Sequence, residues 1–490
     1  MGDSDMHRIR ARDTGTQSTQ AYRRTAAYGR PPRPQRAPEP SGAANSMDAM
    51  PPHLLYVAWG YPPSRGSGVY RAWATANEFA RAGWRVTVLT VPRETFTMST
   101  GVDLTLEQSI DSSIRIERVP FSSPAFDTDL RRWSWMRAHV PELWNGWSYW
   151  RGQRSFPEKG YGGWRRTLES AARRIHRTDP VDLVIGTANP NVDFIPGWTL
   201  HNEHGVPYVM DYRDAWSLDI YSGRRVVDRR SRAGRWEQRL LEKAHEVWYV
   251  NDPIREWHAE QFPESAARMH VVQNGYDLEL DMPSSASEVP RTSLTFGYIG
   301  TISAAIPVAE LVDGWRRARE RSPLVATSRL HLHGYLNHLG IPGENMTRAM
   351  SAFGENDIHY LGPVPRTEVG RVYGGFDALV LTFGTGRYIT GGKVYEYAST
   401  GLPIVSVHDP VNETSRILAD HPGWHGAAGL APDQIADAII ATAQNASAQT
   451  VAQREAARVS ARRFARHAQL EPRIGALREF VEARAQGATA

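Results

Sequence analysis

The sequence predicts an α/β protein in which two parallel β-sheets face each other across a cleft. The first observation is the order strand, glycine-containing loop, helix, strand between Leu54 and Thr90, because a βαβ unit requires parallel strands. The second is a series of short apolar runs of buried-strand type in both halves of the chain. The third is a polar, proline- and serine-containing stretch, Asp281–Ser293, which is typical of a linker between two domains.

The first series of elements begins with the apolar run Leu54–Trp59, which the loop Tyr61–Gly68 follows. The next segment carries Val69, Trp73, Ala76 and Ala80 at helical spacing, and Gly83 ends this helix. The predicted strands of this half are residues 54–59, 85–90, 114–120, 182–187, 207–214, 246–251 and 270–275.

A second series follows the linker, with predicted strands at residues 294–300, 330–334, 358–362, 378–383 and 403–407. A final amphipathic helix is predicted from about Ile474 to Ala485, after Pro472. The predicted units are a tail (1–50), a Rossmann-like domain with a tryptophan-rich insertion (51–285), a second Rossmann-like domain (290–468) and a C-terminal helix (469–490) that packs back on the first domain. Open sheets of this kind bind ligands at the carboxyl ends of their strands.

Composition excludes several classes of function. Residues 1–50 hold eight arginines against five acidic residues, so they carry +3 of the net charge of +4. This segment is either a disordered tail or a start-codon artefact, since Met47 and Met50 precede the first strand. The near-neutral remainder argues against nucleic-acid binding. The absence of cysteine excludes disulfides, thiolate metal sites and a cysteine nucleophile, and together with the lack of a signal-like or membrane-spanning apolar run it indicates a cytoplasmic protein.

The region from Trp133 to Trp164 contains six tryptophans and does not follow the alternation of strands and helices. One interpretation is an irregular insertion that packs its own small core. The other is a binding platform, because tryptophan suits both stacking on sugars and contact with a bilayer interface.

The segment "GGKVYEYASTGLPIV", Gly391–Val405, combines two glycines, a cation and a carboxylate. On a helix Lys393 and Glu396 share a face, and the glycines allow close backbone approach where free amides and the helix dipole attract anions. Phosphates at the helix start and a ribose one turn along match this order of groups. The alternative is a surface helix with an incidental Lys/Glu pair.

The same segment resembles the nucleotide-sugar signature of family-4-type glycosyltransferases of the GT-B fold. Further segments resemble this family in the same order, namely "YPPSRGSG", "GVPYVMDYRDAW", "VVQNGYD" and "IHYLGPVPRTEVGRVYGGFDALVL". The resemblance implies a retaining, metal-independent, hexosyl-type glycosyltransferase that uses a nucleoside diphosphate sugar as co-substrate and needs no other cofactor. The implied acceptor is a small molecule, a glycan or a lipid-linked molecule, with peripheral contact at the inner membrane face as a further expectation.

Residue by residue, the resemblance places the diphosphate at Lys393, the ribose at Glu396 and the base at Val364. The complete predicted donor site is Gly66, Gly68, Gly300, Thr301, Val364, Gly391, Gly392, Lys393 and Glu396. Lys393, Arg213 and Asp214 are the candidate catalytic residues, and Trp144, Trp147 and Asn189 are the candidate acceptor residues. No metal ligands are expected. The triplet Asp127–Asp129 is interpreted as a chance match to a metal-binding motif, and the pairs His201–His204 and His331–His333 lack a convincing third ligand.

The sequence departs from the family pattern at three places. Tyr388 stands where many relatives carry a glutamate, no basic residue follows Gly300, and the strand end Gly186–Asp193 lacks the catalytic histidine of several relatives. Arg387 or Arg213 is the candidate substitute for the missing cation. Arg213 lies between Asp211 and Asp214 in the sequence. Either it is part of a buried structural ion pair that fixes the strand end, or Arg213 reaches the diphosphate or Asp214 reaches an acceptor hydroxyl. A sugar-nucleotide epimerase or hydrolase, and a degenerate sugar-nucleotide-binding protein, remain the alternatives.

Overall fold

The computed structural model describes residues 50–489, apart from residue 67 and segments 127–128, 278–291, 304–305, 337–349, 352, 366–367 and 385. The predicted tail, most of the predicted linker and the first two residues of the Asp127–Asp129 triplet lie outside the described residues. Residues Pro51–Ala490 form one compact unit.

The first sheet holds seven parallel strands among the described residues, in the order β3-β2-β1-β4-β5-β6-β7. Its register is fixed by pairs such as Leu54 with Val86 and Leu54 with Leu183. The strands are β1 His53–Val57, β2 Arg85–Thr90, β3 Arg115–Arg118, β4 Leu183–Thr187, β5 Tyr208–Tyr212, β6 Glu246–Tyr249 and β7 Met269–Val271.

The second sheet holds six parallel strands among the described residues, in the order β10-β9-β8-β11-β12-β13. Its edge strand β13 was not predicted, because three residues of sequence WHG carry no apolar run. The strands are β8 Thr295–Ile299, β9 Arg329–His333, β10 Ile358–Gly362, β11 Ala378–Thr382, β12 Ile404–Val407 and β13 Trp424–Gly426.

Helices connect successive strands and cover both faces of the sheets. Those of the first half are α1 Val69–Arg81, α2 Arg93–Thr97, α3 Leu104–Gln108, α4 Trp135–His139, α5 Pro141–Ser155, α6 Arg165–Thr178, α7 Ile195–His204, α8 Arg232–Lys243 and α9 Asp252–Gln261. Those of the second half are α10 Val308–Arg321, α11 Pro323–Ala326, α12 Val369–Gly374, α13 Lys393–Thr400, α14 Glu413–Leu418, α15 Pro432–Ala448, α16 Val451–Ala461 and α17 Arg466–Thr489.

Two-sided burial explains why the strands read as continuous apolar runs. On β1, Leu55 and Val57 enter one core cluster while Leu54 and Tyr56 enter another on the opposite face of the sheet. Every side chain of this strand is buried. Parallel sheets covered by helices on both faces show this pattern because neither face meets water.

The C-terminal helix α17 is longer than the sequence predicted. It begins at Arg466 and contains Pro472 in its interior, so the predicted start after this proline is wrong. Its buried residues recur at helical spacing from Leu470 to Val481 and pack in the cluster of the first sheet. Burial of this apolar face on both sides of the proline stabilises the helix enough to offset the missing backbone hydrogen bond.

The described residues contain no helix that meets both the length and the apolarity needed to cross a bilayer.

Candidate active site

A cation, a carboxylate and a phenol meet at the start of α13. Lys393 Nζ lies 2.7 Å from Glu396 Oε1 and 3.4 Å from the Tyr373 hydroxyl. Tyr373 also donates its hydroxyl hydrogen to Glu396. The two charged side chains are 34% and 17% exposed, so the pair lies at the rim of the core. The predicted shared face of Lys393 and Glu396 is confirmed, and Tyr373 is a member that the sequence did not reveal.

The two glycines before this helix have different roles. A side chain at Gly391 would overlap the ring of Phe383, so packing of the chain against its own core requires that glycine. The assignment of Gly391 to the donor site stays a prediction. At Gly392 an added Cβ meets no atom within 4 Å. Gly392 also precedes α13 without a side-chain cap, so its environment is open where the helix amides begin.

Helix α13 is joined directly to the carboxyl end of β8. The Tyr397 hydroxyl accepts from the Ile299 amide at 2.8 Å and lies 3.2 Å from the Ile299 carbonyl oxygen. Gly300 and Thr301 follow immediately, and the Tyr298 hydroxyl donates to the Thr301 carbonyl at 3.0 Å. The structure thus brings Gly300 and Thr301 next to the helix that carries Lys393 and Glu396.

Val364 belongs to the same part of the second domain. It follows β10, is half-buried, and packs against the apolar cluster that contains Tyr373 and Tyr397. The predicted base residue thus packs against the same apolar cluster as Tyr373, which bonds to the predicted ribose residue Glu396.

The glycine loop of the first sheet lies against Arg213. A Cβ at Gly68 would overlap the guanidinium group of Arg213, whereas one at Gly66 would make only ordinary contacts. Arg213 donates to the Ala188 carbonyl at 3.1 Å and pairs with Asp214 at 2.7 Å. Glycine at position 68 is thus what allows the loop and this arginine to come together.

Asp214 and Asn189 complete a polar group at the ends of β4 and β5. Asn189 Nδ2 donates to Asp214 Oδ2 at 3.3 Å, and the Asp214 side chain is 42% exposed. The predicted catalytic pair Arg213 and Asp214 is therefore adjacent to the predicted acceptor residue Asn189.

Asp211 belongs to a different, wholly structural ion pair. Its carboxylate is fully buried and pairs with Arg71 of α1 at 2.6 Å. Thr187 donates to the same carboxylate, and Arg71 donates onward to the Val272 carbonyl at 2.8 Å. Of the two carboxylates that flank Arg213, Asp214 is therefore its partner. Asp211 is neutralised by Arg71, which the sequence gave no reason to select.

Comparisons with known proteins bear on this arrangement. Residues 65–275 match the family model described as a glycosyl transferase 4-like domain. The matched residues include all seven strands of the first sheet except β1, so the similarity concerns the first half of the chain. No curated protein sequence matches the chain.

Solved structures share the fold across almost the whole described chain. Sucrose-phosphate synthase from Thermosynechococcus elongatus is 14% identical with a TM-score of 0.57, covering 88% of this chain and 100% of its own. A glycosyltransferase from Rickettsia africae is 11% identical with a TM-score of 0.60, over 88% and 99%. HepE from Anabaena, in complex with UDP and glucose, is 13% identical with a TM-score of 0.52, over 88% and 99%. The two sheets are therefore the two halves of a GT-B fold.

A loop of the second domain contacts the first domain just before α13. Asn251 is fully buried and donates at 2.9 Å to both the Tyr388 carbonyl and the Thr390 hydroxyl. The Tyr388 ring lies against Gly223. Tyr388 therefore contributes to the contact between domains at the position where many relatives carry a glutamate.

The two candidate substitutes for the missing cation are both engaged. Arg387 lies 3.4 Å from Glu256 of α9, and Arg213 pairs with Asp214.

The structure reveals a third basic residue, Arg65, in the glycine loop. Its guanidinium lies 5.8 Å from the ring centre of Tyr335, which follows β9 in the second sheet. Arg65 is exposed and has no acidic partner among the residues that the structure describes. The lack of a basic residue after Gly300 was the sequence signal that could have directed attention to it.

Two carboxyl groups hold the loop that follows Asn189, namely the half-buried Glu158 and the fully buried Asp193. Glu158 accepts from the Asn191 and Val192 amides at 2.8 and 2.9 Å, and burial raises its pKa to about 7. Asp193 accepts from the Trp59 amide at 2.7 Å, and burial, reinforced by the charge of Glu158, raises its pKa well above its usual range. These groups hold the loop after β4 and connect it to the tryptophan-rich insertion.

The tryptophans predicted as acceptor residues have different environments. Trp144 is half-buried, with the Arg137 guanidinium 4.5 Å from its ring centre. Trp147 is 47% exposed on α5. Their assignment to an acceptor site stays a prediction.

The described residues contain no group of three or more histidine, cysteine or acidic side chains arranged to hold a metal ion. Of the histidines considered from the sequence, His201 bonds to the Val206 carbonyl at 3.2 Å, and His331 packs on His359.

Proposed function

We propose that this chain is a retaining GT-B glycosyltransferase that moves a hexosyl group from a nucleoside diphosphate sugar to an acceptor hydroxyl without a metal ion. The observation that carries the proposal is the cluster of Lys393, Glu396 and Tyr373 at the start of α13, beside Gly300 and Thr301. HepE, which shares the fold, was crystallised with UDP and with UDP-glucose.

The diphosphate is proposed to lie over the amides that begin α13, with Lys393 on one side. Helix amides and the helix dipole favour anions, and a cation adds a charge-assisted contact. Arg65 approaches the same strand ends from the first domain through Tyr335, whose carbonyl accepts from the Ile302 amide at 2.9 Å. Two cations and a helix start stabilise a departing diphosphate in the way that a metal ion does in other enzymes.

Glu396 is proposed to accept hydrogen bonds from the ribose, and Val364 to present its backbone to the base. Glu396 bonds to Tyr373, and Val364 packs against the apolar cluster that contains Tyr373, so the nucleoside would extend along this cluster away from the helix start. The order of diphosphate, ribose and base then follows the order of Lys393, Glu396 and Val364.

The sugar and its acceptor are proposed to lie toward Arg213, Asp214 and Asn189. Asp193 is a poor nucleophile at neutral pH, because burial raises its pKa and favours the protonated form. Asp214 is the partly exposed carboxylate at these strand ends and is ion-paired with Arg213. Catalysis would therefore depend on leaving-group stabilisation and on alignment of donor and acceptor.

Calorimetric titration of nucleoside diphosphates and the matching nucleosides tests the donor site. Lys393→Ala is expected to weaken diphosphate binding roughly tenfold or more, since a charge-assisted hydrogen bond contributes about 1.5–3 kcal/mol, while nucleoside binding stays unchanged. Glu396→Ala is expected to weaken the binding of both the nucleoside diphosphate and the nucleoside. Lys243→Ala, at the exposed end of α8, is the control.

Wild-type affinity in both Lys393→Ala and Glu396→Ala would refute the donor assignment. Binding of a nucleoside diphosphate sugar without sugar transfer to any acceptor would favour the degenerate binding protein. Conversion or hydrolysis of the free sugar nucleotide would favour the epimerase or hydrolase.

A further inference from the structure

Helix α5 of the tryptophan-rich insertion lies on the surface of the first domain, and no other element buries it. None of its 15 residues is buried. Leu143, Trp147 and Trp150 follow each other at helical spacing on one face and are 73%, 47% and 53% exposed. We call these three residues the tryptophan stripe. A soluble helix normally turns such an apolar face to the core, so an outward stripe indicates an interaction surface.

The apolar surface extends beyond the helix. Leu130 and Trp135, which precede α5, are 69% and 74% exposed, and Met136 and Val140 are 40% and 39% exposed. These side chains and the tryptophan stripe belong to one stretch of 21 residues, from Leu130 to Trp150.

Buried anchors fix the base of this segment. Phe156 and Trp164 lie in the core of the first domain, at 0% and 2% exposure. Arg137 is buried between the rings of Trp133 and Trp144, with its guanidinium 4.3 and 4.5 Å from their centres. The interpretation of the insertion as a small core of its own thus applies to some of the tryptophans, but it does not explain the tryptophan stripe.

Positive charge accompanies the exposed rings. Arg151 lies 5.5 Å from the ring centre of Trp147, and Arg154 lies 4.9 Å from that of Trp150. Neither arginine has an acidic partner among the described residues. Residues 130–155 hold five arginines and one acidic residue, Glu142, whereas residues 51–490 as a whole carry only +1. Within this segment Arg131 pairs with Asp129 at 2.9 Å and Arg137 is buried. Among the described side chains, Arg151 and Arg154 therefore supply the unpaired positive charge next to the exposed rings.

We propose that the segment 130–155 docks on the surface of an anionic lipid bilayer, with the tryptophan stripe at the headgroup level and Arg151 and Arg154 among the lipid phosphates. Tryptophan prefers the bilayer interface, and basic residues next to it gain attraction to anionic lipids. Symmetric pairing of this surface with a second copy is disfavoured, because it would bring the unpaired Arg151 and Arg154 of one copy close to those of the other.

Vesicle co-sedimentation of the full-length protein, without substrates, tests the proposal. The vesicles are phosphatidylcholine alone and phosphatidylcholine with an equal amount of phosphatidylglycerol. Wild-type protein is expected to bind the anionic vesicles. Trp147→Ser combined with Trp150→Ser should lower partitioning roughly tenfold through the loss of apolar contact. Arg151→Gln combined with Arg154→Gln should lower it roughly thirtyfold, at about fivefold per charge.

Matched controls change exposed residues outside the segment. Val411→Ser replaces an apolar side chain that is 65% exposed. Arg177→Gln combined with Arg230→Gln removes two charges at exposed positions. Both controls should partition like the wild type, and melting temperatures verify that every variant is folded. Leu143→Ser is the replacement if the double tryptophan variant does not fold.

Three results would overturn the proposal. The first is failure of the wild type to bind anionic vesicles. The second is equal partitioning of the stripe, arginine and control variants. The third is a concentration-dependent dimer, or affinity for a soluble glycan, that the stripe substitutions abolish while vesicle binding persists. Donor titration of the same variants separates this proposal from the proposed function, because the stripe lies on the domain opposite Lys393 and donor affinity should not change.

Discussion

Charge pairing distinguishes the roles of the basic residues around the cleft. Arg71 forms an ion pair with the buried Asp211, and Arg213 forms an ion pair with Asp214 at the edge of the site. Lys393 is balanced by Glu396 on the same helix. Arg65 contacts an aromatic ring and has no acidic partner among the described residues. A cation that is exposed and not paired with a carboxylate is the one most available to an incoming phosphate.

At this scale we predict that Arg65→Ala weakens binding of a nucleoside diphosphate about fivefold to tenfold. The exposed position of Arg65 makes the loss smaller than for a buried charge-assisted contact. Binding of the corresponding nucleoside should stay at the wild-type level, and Arg65→Lys should recover part of the affinity. Calorimetry measures all of these affinities.

Arg81→Ala, at the exposed end of α1, is the matched control for this substitution. An equal loss for nucleoside and diphosphate would show that Arg65 positions the domains and does not contact the phosphates.

At the scale of elements, the first domain depends on loops that side chains hold in place. The loop after β4 carries Asn189 and is fixed by Glu158, which reaches it from the end of the tryptophan-rich insertion. Asn251 caps α9 through the Ile254 amide and also holds the loop that leads into α13. In both cases one polar side chain satisfies backbone groups that would otherwise be buried without a partner.

We predict that Glu158 makes the folded protein lose stability as pH rises from about 4.5 to about 7. The unfolded glutamate ionises near its usual value of 4.5, whereas burial raises the folded-state pKa to about 7. Within this window the folded state binds the extra proton, so stability is highest below it and falls as pH increases. The loss is on the order of 1–3 kcal/mol.

Denaturant unfolding of the wild type and Glu158→Gln between pH 4.5 and 7.5 measures this effect. The variant should show a flatter stability profile, because glutamine does not titrate. Glu142→Gln, on the exposed helix α5, should retain the wild-type slope. Identical slopes for wild type and Glu158→Gln would contradict the prediction.

At the scale of the whole molecule, the two halves are joined at several separate points. The Asn251 contact is accompanied by an ion pair of 2.6 Å between Arg416 and Asp252. Helix α17 follows the second domain in sequence yet packs its apolar face on the first sheet. Residues 1–50 carry most of the net charge but no apolar pattern that could extend either core.

We therefore predict that removal of residues 1–46 leaves both the melting temperature and the turnover number unchanged. Differential scanning calorimetry and a donor-dependent transfer assay measure the two quantities on the shortened and the full-length protein. A drop in soluble yield, melting temperature or turnover would mean that the segment docks on the fold or recruits a partner.

The sequence predicted the positions of β1 through β12, most directly for central strands such as β1, β4, β5 and β11, where two-sided burial makes the strand a short apolar run. It failed for β13, whose three residues pair only at an edge, and for the start of α17, where tertiary burial outweighs the effect of a proline. The position of a strand or helix can be predicted from the local sequence where burial of that element produces a local apolar pattern.

The same division holds for the candidate site. The sequence by itself determined the α/β architecture and the shared face of Lys393 and Glu396, since strand burial and helical spacing act within a few residues. Tertiary structure alone decided that Tyr373 joins this pair, that Arg71 neutralises Asp211, that Arg65 approaches Tyr335 and that the tryptophan stripe points outward. These features depend on residues that are far apart in the chain. The local spacing of residues does not determine which distant side chain will pair with a charge or bury an apolar side chain.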